Sequence, residues 1–354
     1  MTMEAAALLE GPRGRRLALA AALDAVDGHP WLTVPELAVQ LAEAPVDALP
    51  SLLPALVATV DSARYWQQPD DEDVLARLPE LRPALLHAAD AVLRHPDAAA
   101  WGEPLEAHDQ WEVEFDLPDQ PVSPVAAGTE PDWGEWREEA VAEEFAARTD
   151  RPQDPAANWG GSWWSIPFTR PATLATTRTL SGAPAGLSLV EDRMDWGSAI
   201  ASPVRVADPS VYEVTGPESW AGLCRRFPLE VTASRRHDWY RTTGRVGRWL
   251  MPDWAAVAQH YDGVHLTVLA YLGLAGAVIP VGEDAASVVA GWAPDETWWL
   301  RRERVRVDRG QRVAWELGDD GEWFRSSADG SADVLDGVPD RADRQMEHGS
   351  DDAE

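Results

Sequence analysis

Apolar residues recur at helical spacing through the first hundred positions of the chain. Leucine, valine and alanine return three and four positions apart, which is the period of an amphipathic helix. Thr33 stands three residues before Glu36, the spacing of a capping box at a helix start. The same apolar period over Leu81–Leu93 stops at a proline. The pattern predicts a helical domain over residues 1–100.

The character of the chain changes between Glu103 and Asp154, where sixteen acidic residues stand against three arginines. Apolar and acidic residues alternate over Trp111–Leu117, which is the period of a half-buried strand. Asp132–Arg148 has the composition of a helix. We therefore expect residues 101–158 to form an acidic linker that contains strand and helix segments.

Short alternating or β-branched segments follow residue 159 and indicate an α+β domain over 159–325 with a mainly antiparallel sheet. The acid-rich residues 326–354 hold few large apolar side chains, which predicts a disordered tail. The predicted fold class is therefore α+β, with an N-terminal helical domain before the mixed domain. The predicted strands are Trp163–Phe168, Ala172–Leu180, Leu187–Val190, Val211–Val214, Ala286–Trp292, Thr297–Arg302 and Gln311–Leu317, and the predicted helices are Glu218–Arg226 and Pro252–Gly276.

Composition limits the compartment and the classes of partner. The formal net charge is −30, and all thirty basic side chains are arginine. Such an acidic chain disfavours nucleic acid, whose binding depends on many basic groups. Cys224 is the single cysteine, the N-terminal residues lack a secretory signal, and the longest apolar run, Val264–Ile279, is too short to span a bilayer. These features predict a cytoplasmic protein without a membrane partner.

Motifs with strong catalytic specificity are missing from the sequence. The histidines and the cysteine never reach the paired spacing of a zinc site, so no metal is predicted. There is no Gly-x-Ser-x-Gly elbow, no phosphate-binding loop with its lysine, and no Gly-x-Gly-x-x-Gly. The sequence therefore disfavours serine hydrolases, P-loop nucleoside triphosphatases and Rossmann-type dinucleotide-binding enzymes.

Arginine is concentrated in two islands of this acidic chain, residues 222–249 with seven arginines and residues 301–312 with six. If both islands line one cleft, their guanidinium groups would hold a phosphate or carboxylate bidentately. The alternative is that the acidic segment 103–154 docks on these arginines inside the protein. The first island contributes Arg235, Arg236 and Arg241 as anion ligands, Trp239 as a stacking ring, and His237 as a proton donor or acceptor.

His265 and Trp298 are further candidates. His265 lies in an apolar stretch, where it is either a catalytic base or a hydrogen-bonded core residue. Trp298 and Trp299 are adjacent in a predicted strand, so their rings should face opposite sides of the sheet. One ring would then belong to the core, and the other could stack on a ligand or an arginine.

Two resemblances accompany these residues. Segments such as Ser234–Trp239 and Tyr261–Thr267 look like recurring segments of tryptophan-rich proteins from high-GC bacteria, a resemblance that implies no activity. The segment Gly291–Leu300 is similar to strands of ADP-ribosyltransferase-like proteins, whose strand arginine and late glutamate would correspond to Arg178 and Glu296. No Ser-Thr-Ser is present, and Glu296 lacks the neighbouring glutamate of the Glu-x-Glu pattern of those proteins.

Two functional hypotheses follow. In the first, the protein binds an anionic small molecule, for which NAD or another nucleotide is the candidate, and an ADP-ribosyltransferase-like group transfer is the reaction that the resemblance implies. The second is a non-catalytic interaction or inhibitory protein that binds a basic protein partner through acidic surfaces. The first hypothesis assigns proton handling to His237, His265 and Glu296, anion binding to Arg178, Arg235, Arg236 and Arg241, and stacking to Trp239 and Trp298.

Overall fold

The computed structural model describes residues 2–26, 32–115, 130–169, 173–194 and 196–326. Within them a helical N-terminal region precedes a sheet-rich region, which confirms the predicted α+β class. The helices are α1 Met3–Leu8, α2 Pro12–Asp24, α3 Val34–Ala42, α4 Leu53–Asp61, α5 Asp71–Leu75, α6 Arg82–Arg94, α7 Trp133–Asp150, α8 Pro217–Arg226, α9 Thr232–Thr243, α10 Trp254–Val257 and α11 Val268–Leu274.

Most strands pair antiparallel, and they form three larger sheets and a hairpin among the described residues. The strands are β1 Gln110–Phe115, β2 Leu174–Thr176, β3 Thr179–Leu180, β4 Ala183–Pro184, β5 Ser198–Val206, β6 Val211–Val214, β7 Pro228–Glu230, β8 Arg248–Pro252, β9 Gly263–Leu266, β10 Ile279–Pro280, β11 Ala285–Ser287, β12 Thr297–Trp299, β13 Val305–Val307, β14 Val313–Leu317 and β15 Trp323–Arg325.

The five-stranded sheet is built around β5, which pairs with β1, β13 and β14, while β15 extends the sheet from β14. The register of β1 on β5 runs from Gln110 opposite Val204 to Phe115 opposite Ala199. The four-stranded sheets have the orders β2-β12-β9-β6 and β10-β11-β8-β7, and β3 and β4 form the hairpin. The β6–β9 and β11–β8 pairs are parallel.

Local signals in the sequence explain several of these elements. The backbone N–H of Thr33 donates to Glu36 Oε2 at 2.9 Å, so the predicted capping box begins α3. The predicted strand at Trp111 and the predicted helix at Asp132 appear as β1 and α7. The predicted strand Val211–Val214 is also confirmed, as β6.

Other expectations were wrong. Residues 252–276 are not one helix but α10, β9 and α11, because β9 is inserted between β6 and β12 in a sheet. Trp163–Phe168 forms no strand; its Ser165 instead exchanges hydrogen bonds with Ala290. Leu187–Val190 is not a strand either, and a short 3-10 turn ends at Leu187. The predicted tail, 326–354, lies outside the described residues apart from Ser326.

A hydrophobic cluster extends from the N-terminal helices into the sheet region, across residue 100. At its centre Trp220, Trp254 and Trp292 contact one another, with ring centroids 5.9 to 6.2 Å apart. Each indole N–H has an acceptor: Ser287 Oγ for Trp220, the Ser165 carbonyl for Trp254 and the Glu296 carbonyl for Trp292. Large apolar rings are thereby buried without leaving a donor unpaired.

A buried carboxyl group lies where the N-terminal helices meet α11. Glu191 Oε2 accepts a hydrogen bond from the Gly291 backbone at 2.9 Å. Tyr65 and Tyr271, both buried, flank it together with the buried Arg13 of α2. Burial raises the pKa of Glu191 to about 8, against the opposing effects of the two tyrosines and Arg13. Glu191 is therefore mainly protonated at pH 7.

Replacing Trp254 with Ala should lower the free energy of unfolding by about 4 kcal/mol, because the change leaves a cavity between two other indoles. Denaturant unfolding would measure this. The matched control is Phe324→Ala, whose ring is 50% exposed, with an expected loss below about 0.5 kcal/mol. Equal losses in both variants would contradict the central role of the tryptophan cluster.

Replacing Glu191 with Gln should flatten the pH dependence of stability. The raised pKa means that the folded state binds a proton that the unfolded state has released, so wild-type stability falls as pH rises from about 4.5 towards 8. The slope from this group approaches about 1.4 kcal/mol per pH unit. Unfolding free energies from pH 5.5 to 8 would test it against the exposed control Glu322→Gln, which should keep the wild-type slope.

Candidate functional site

The arginine-rich segment forms helix α9, and its guanidinium groups are already engaged. Arg235 is 5% exposed; its Nη1 lies 3.1 Å from Glu143 Oε2, and its Nε donates to the Trp164 carbonyl. Arg236 Nη1 donates to the Pro152 carbonyl at 2.6 Å. These contacts attach α9 to α7 and to the chain that follows it.

The other predicted residues of α9 are also held inside the protein. Arg241 Nη2 lies 2.8 Å from Asp238 Oδ1. Trp239 is fully buried, packs edge-on against Trp249 and donates its indole N–H to the Trp163 carbonyl. His237 is 1% exposed, and burial together with the nearby Arg236 lowers its pKa, so the imidazole is neutral at pH 7.

The N-terminus of α9 already has an anion. The carboxylate of Glu144, from α7, accepts hydrogen bonds from the backbone N–H groups of Ala233 at 3.0 Å and Ser234 at 2.8 Å. A helix N-terminus attracts negative charge through its unpaired N–H groups and its dipole. Here the protein supplies that charge itself.

A second group of predicted residues lies around β9 and β12. His265 Nδ1 is 2.6 Å from Glu213 Oε2, and its Nε2 is 3.6 Å from Asp295 Oδ1, an ion-pair distance. Arg178 Nε donates to the same Asp295 at 2.5 Å. Burial acts to lower the pKa of His265, but the two carboxylates outweigh burial and the pKa is raised. His265 thus links Glu213 and Asp295, and both carboxylates favour the charged form of its imidazole.

Glu296 and Trp298 belong to the turn and strand beside this group. The Glu296 carboxyl accepts the indole N–H of Trp298 at 2.8 Å and the backbone N–H of Ala293 at 3.2 Å. Burial raises the pKa of Glu296 to about 7. Trp298 is 8% exposed and touches Phe168 edge-on, whereas Trp299 packs in a different core cluster. The two indoles therefore face opposite sides, as the strand period predicts.

The predicted site residues thus form two groups, on α9 and around β9, each with its own internal partners. The alternative expectation, that the acidic segment docks on the arginines, matches the contacts. Glu143 and Glu144 bind α9, and in the second island Arg309 pairs with Glu112 and Glu114 of β1. A buried guanidinium keeps its charge and needs such partners.

A cleft of about 610 Å³ lies between α7 and residues 162–169, and Glu143 is part of its lining. Its volume is in the range of ligand-binding pockets. Of the nine predicted site residues, Arg235 alone lines it. The lining residues are Glu130, Asp132, Glu135, Trp136, Glu139, Ala140, Glu143, Ser162, Trp164, Ile166, Phe168, Thr169, Arg235 and Met251.

Negative charge dominates the described lining of this cleft, where five carboxylates accompany one guanidinium. Glu143 is held by Arg235, Arg151 and Ser162, and despite burial these partners lower its pKa. Glu135 and Glu139 are exposed and make no ion pair within the described part of the chain. The cleft lining therefore combines exposed acids with tryptophan, phenylalanine, isoleucine and methionine side chains.

Sequence reasoning missed this cleft, although a signal existed. The cleft-lining positions of α7 recur every three or four residues from Asp132 to Glu143, which is one face of a helix. The helix itself was predicted, but the segment was interpreted as a linker. The opposite wall, from residues 162–169, is irregular chain that no periodicity marks.

Comparison with protein-family models, with curated proteins and with solved structures finds no match. In the described part of the chain, no helix combines the length and the apolar character needed to cross a membrane. The same residues contain no group of three His, Cys, Asp or Glu side chains arranged to hold a metal ion.

Replacing His265 with Gln should cost most at low pH. Because the pKa is raised on folding, the charged histidine stabilises the protein below its unfolded pKa of about 6.5, and this contribution is lost as pH rises through the folded pKa. At pH 6 we expect a loss of about 3 kcal/mol, since the partly exposed Glu213 loses its cation and the buried Asp295 loses one of two cations. Unfolding from pH 5.5 to 9 would test this, with exposed His87→Gln as control; a pH-independent loss would contradict the ion-pair role.

Proposed function

We propose that this protein is an interaction protein that binds a basic segment of a partner protein in the cleft between α7 and residues 162–169. The observation that carries the proposal is the lining itself, which among the described residues combines five carboxylates and one guanidinium with aromatic and aliphatic side chains. A basic side chain would pair its charge with the exposed carboxylates, and its aliphatic stem would cover the apolar side chains of the cleft.

The overall charge supports the same proposal. A net charge of −30 attracts basic partners over distances of about a Debye length and speeds their encounter. The field alone does not choose a site on the surface. Glu135 and Glu139 add local selectivity because both carboxylates lie on one face of α7, next to Trp136, without an internal cation.

The anion hypothesis, in which NAD or another nucleotide binds the arginines and a group transfer follows, stays a prediction with less support. Its arginine ligands Arg178, Arg235 and Arg241 each have a carboxylate partner. An incoming phosphate would have to displace those carboxylates, which costs the pairing that folding has established. The cationic partner requires no such exchange at Glu135 and Glu139.

Replacing both Glu135 and Glu139 with Gln should weaken binding of a basic peptide about tenfold, because two rim charges are removed. A short fluorescein-labelled peptide of alternating arginine and lysine, followed by fluorescence anisotropy, would measure this. The control Glu80→Gln with Glu283→Gln removes the same net charge at exposed positions outside the cleft.

The two double variants separate a site from a general field. Loss of affinity in the cleft variant alone supports the proposal. An equal loss in both variants, or no binding by the wild type, would contradict it. NAD is titrated in parallel by thermal shift; stabilisation by NAD together with indifference to the peptide would favour the anion hypothesis instead.

A further inference from the structure

The cleft lining already includes one cation, Arg235. The contacts of Arg235 show which groups of this surface bind a guanidinium group. Arg235 Nη1 lies 3.1 Å from Glu143 Oε2, and its guanidinium carbon lies 6.0 Å from the centre of the Trp164 ring. The side chain is therefore held by a carboxylate and by an indole. This pairing combines charge with a cation–π contact.

A second carboxylate and a second indole line the cleft about one turn earlier, both on α7, and they pair with no cation in the described part of the chain. Trp136 and Glu139 are three positions apart, so they are neighbours on the helix surface, and both line the cleft. Glu139 precedes Glu143 by four residues, or about 6 Å along the helix axis. Glu139 and Trp136 thus repeat the carboxylate and indole of the Arg235 site.

The Trp136 ring is supported from behind. It packs edge-on against Trp133, with centroids 6.1 Å apart, and the Trp133 indole N–H donates to the Leu300 carbonyl at 2.7 Å. Trp136 itself is only partly buried. A ring that is held in place before binding loses little conformational entropy when a ligand stacks on it.

From this repetition we infer that the cleft selects arginine over lysine in the basic segment, with a guanidinium group placed between Glu139 and the face of Trp136. The inference rests on the proposed function. A guanidinium is planar, stacks on an indole and presents a fork of donors to a carboxylate, whereas an ammonium is a compact, strongly hydrated charge. If charge alone decided the affinity, arginine and lysine would bind equally tightly.

The test compares two labelled peptides of equal length and charge, one with arginine and one with lysine at alternate positions between glycines. For the wild-type protein we expect the arginine peptide to bind about fivefold more tightly, the scale of a cation–π contact at a partly exposed ring. Trp136→Leu should remove this preference, because it should weaken the arginine peptide more than the lysine peptide. Trp136→Phe keeps an aromatic face and should retain part of it.

Two controls make the result specific. Trp323→Leu removes a partly exposed tryptophan on β15, outside the cleft, and should keep the preference. Glu139→Gln should weaken both peptides, since both lose the same carboxylate. Far-ultraviolet circular dichroism and thermal unfolding establish that each variant is folded.

The outcomes distinguish this inference from the proposed function. Equal binding of the two peptides by the wild type, or a preference that survives Trp136→Leu, overturns arginine selection and leaves a cleft that binds basic segments by charge. Failure of both peptides to bind overturns the proposed function itself. A preference lost in Trp136→Leu and kept in Trp323→Leu supports the inference.

Discussion

A guanidinium group keeps its charge in a protein, so each arginine that folding buries must be given an anion or carbonyl oxygens. This constraint organises much of the molecule. Arg13 in α2 pairs with Asp73, Arg178 pairs with Asp295, and Arg235 pairs with Glu143. Each pair joins segments that are distant in the chain, so the charged partners help to fix which elements pack together.

The imbalance of charge then decides the character of the surface. The chain has sixty acidic residues and thirty arginines, so internal pairing uses guanidinium groups while many carboxylates remain. The cleft beside α7 shows the result: Glu143 is neutralised by arginines, while Glu135 and Glu139 on the same face are not. The excess of carboxylates in the sequence and the packing around α7 together produce an acidic cleft that also contains aromatic side chains.

Tryptophan has the complementary role in the core. An indole buries a large apolar area but needs one acceptor for its N–H. Trp133, Trp239 and Trp254 all donate to backbone carbonyls of irregular segments. These hydrogen bonds anchor chain that has no sheet or helix partner, including residues 163–165, which form part of the wall of the cleft. The residues that complete the core thereby shape the candidate site.

The helical N-terminal region, the capping box at Thr33, the strand β1 and the helix α7 follow from the sequence alone, because period and capping are local properties. The arginine islands and the acidic segment were also visible as charge patterns. Which arginine pairs with which carboxylate was not visible, since Arg235 and Glu143 are 92 positions apart and Arg178 and Asp295 are 117 apart. Local patterns specify elements; only the tertiary structure decides which charges meet, which are buried, and which remain free to bind.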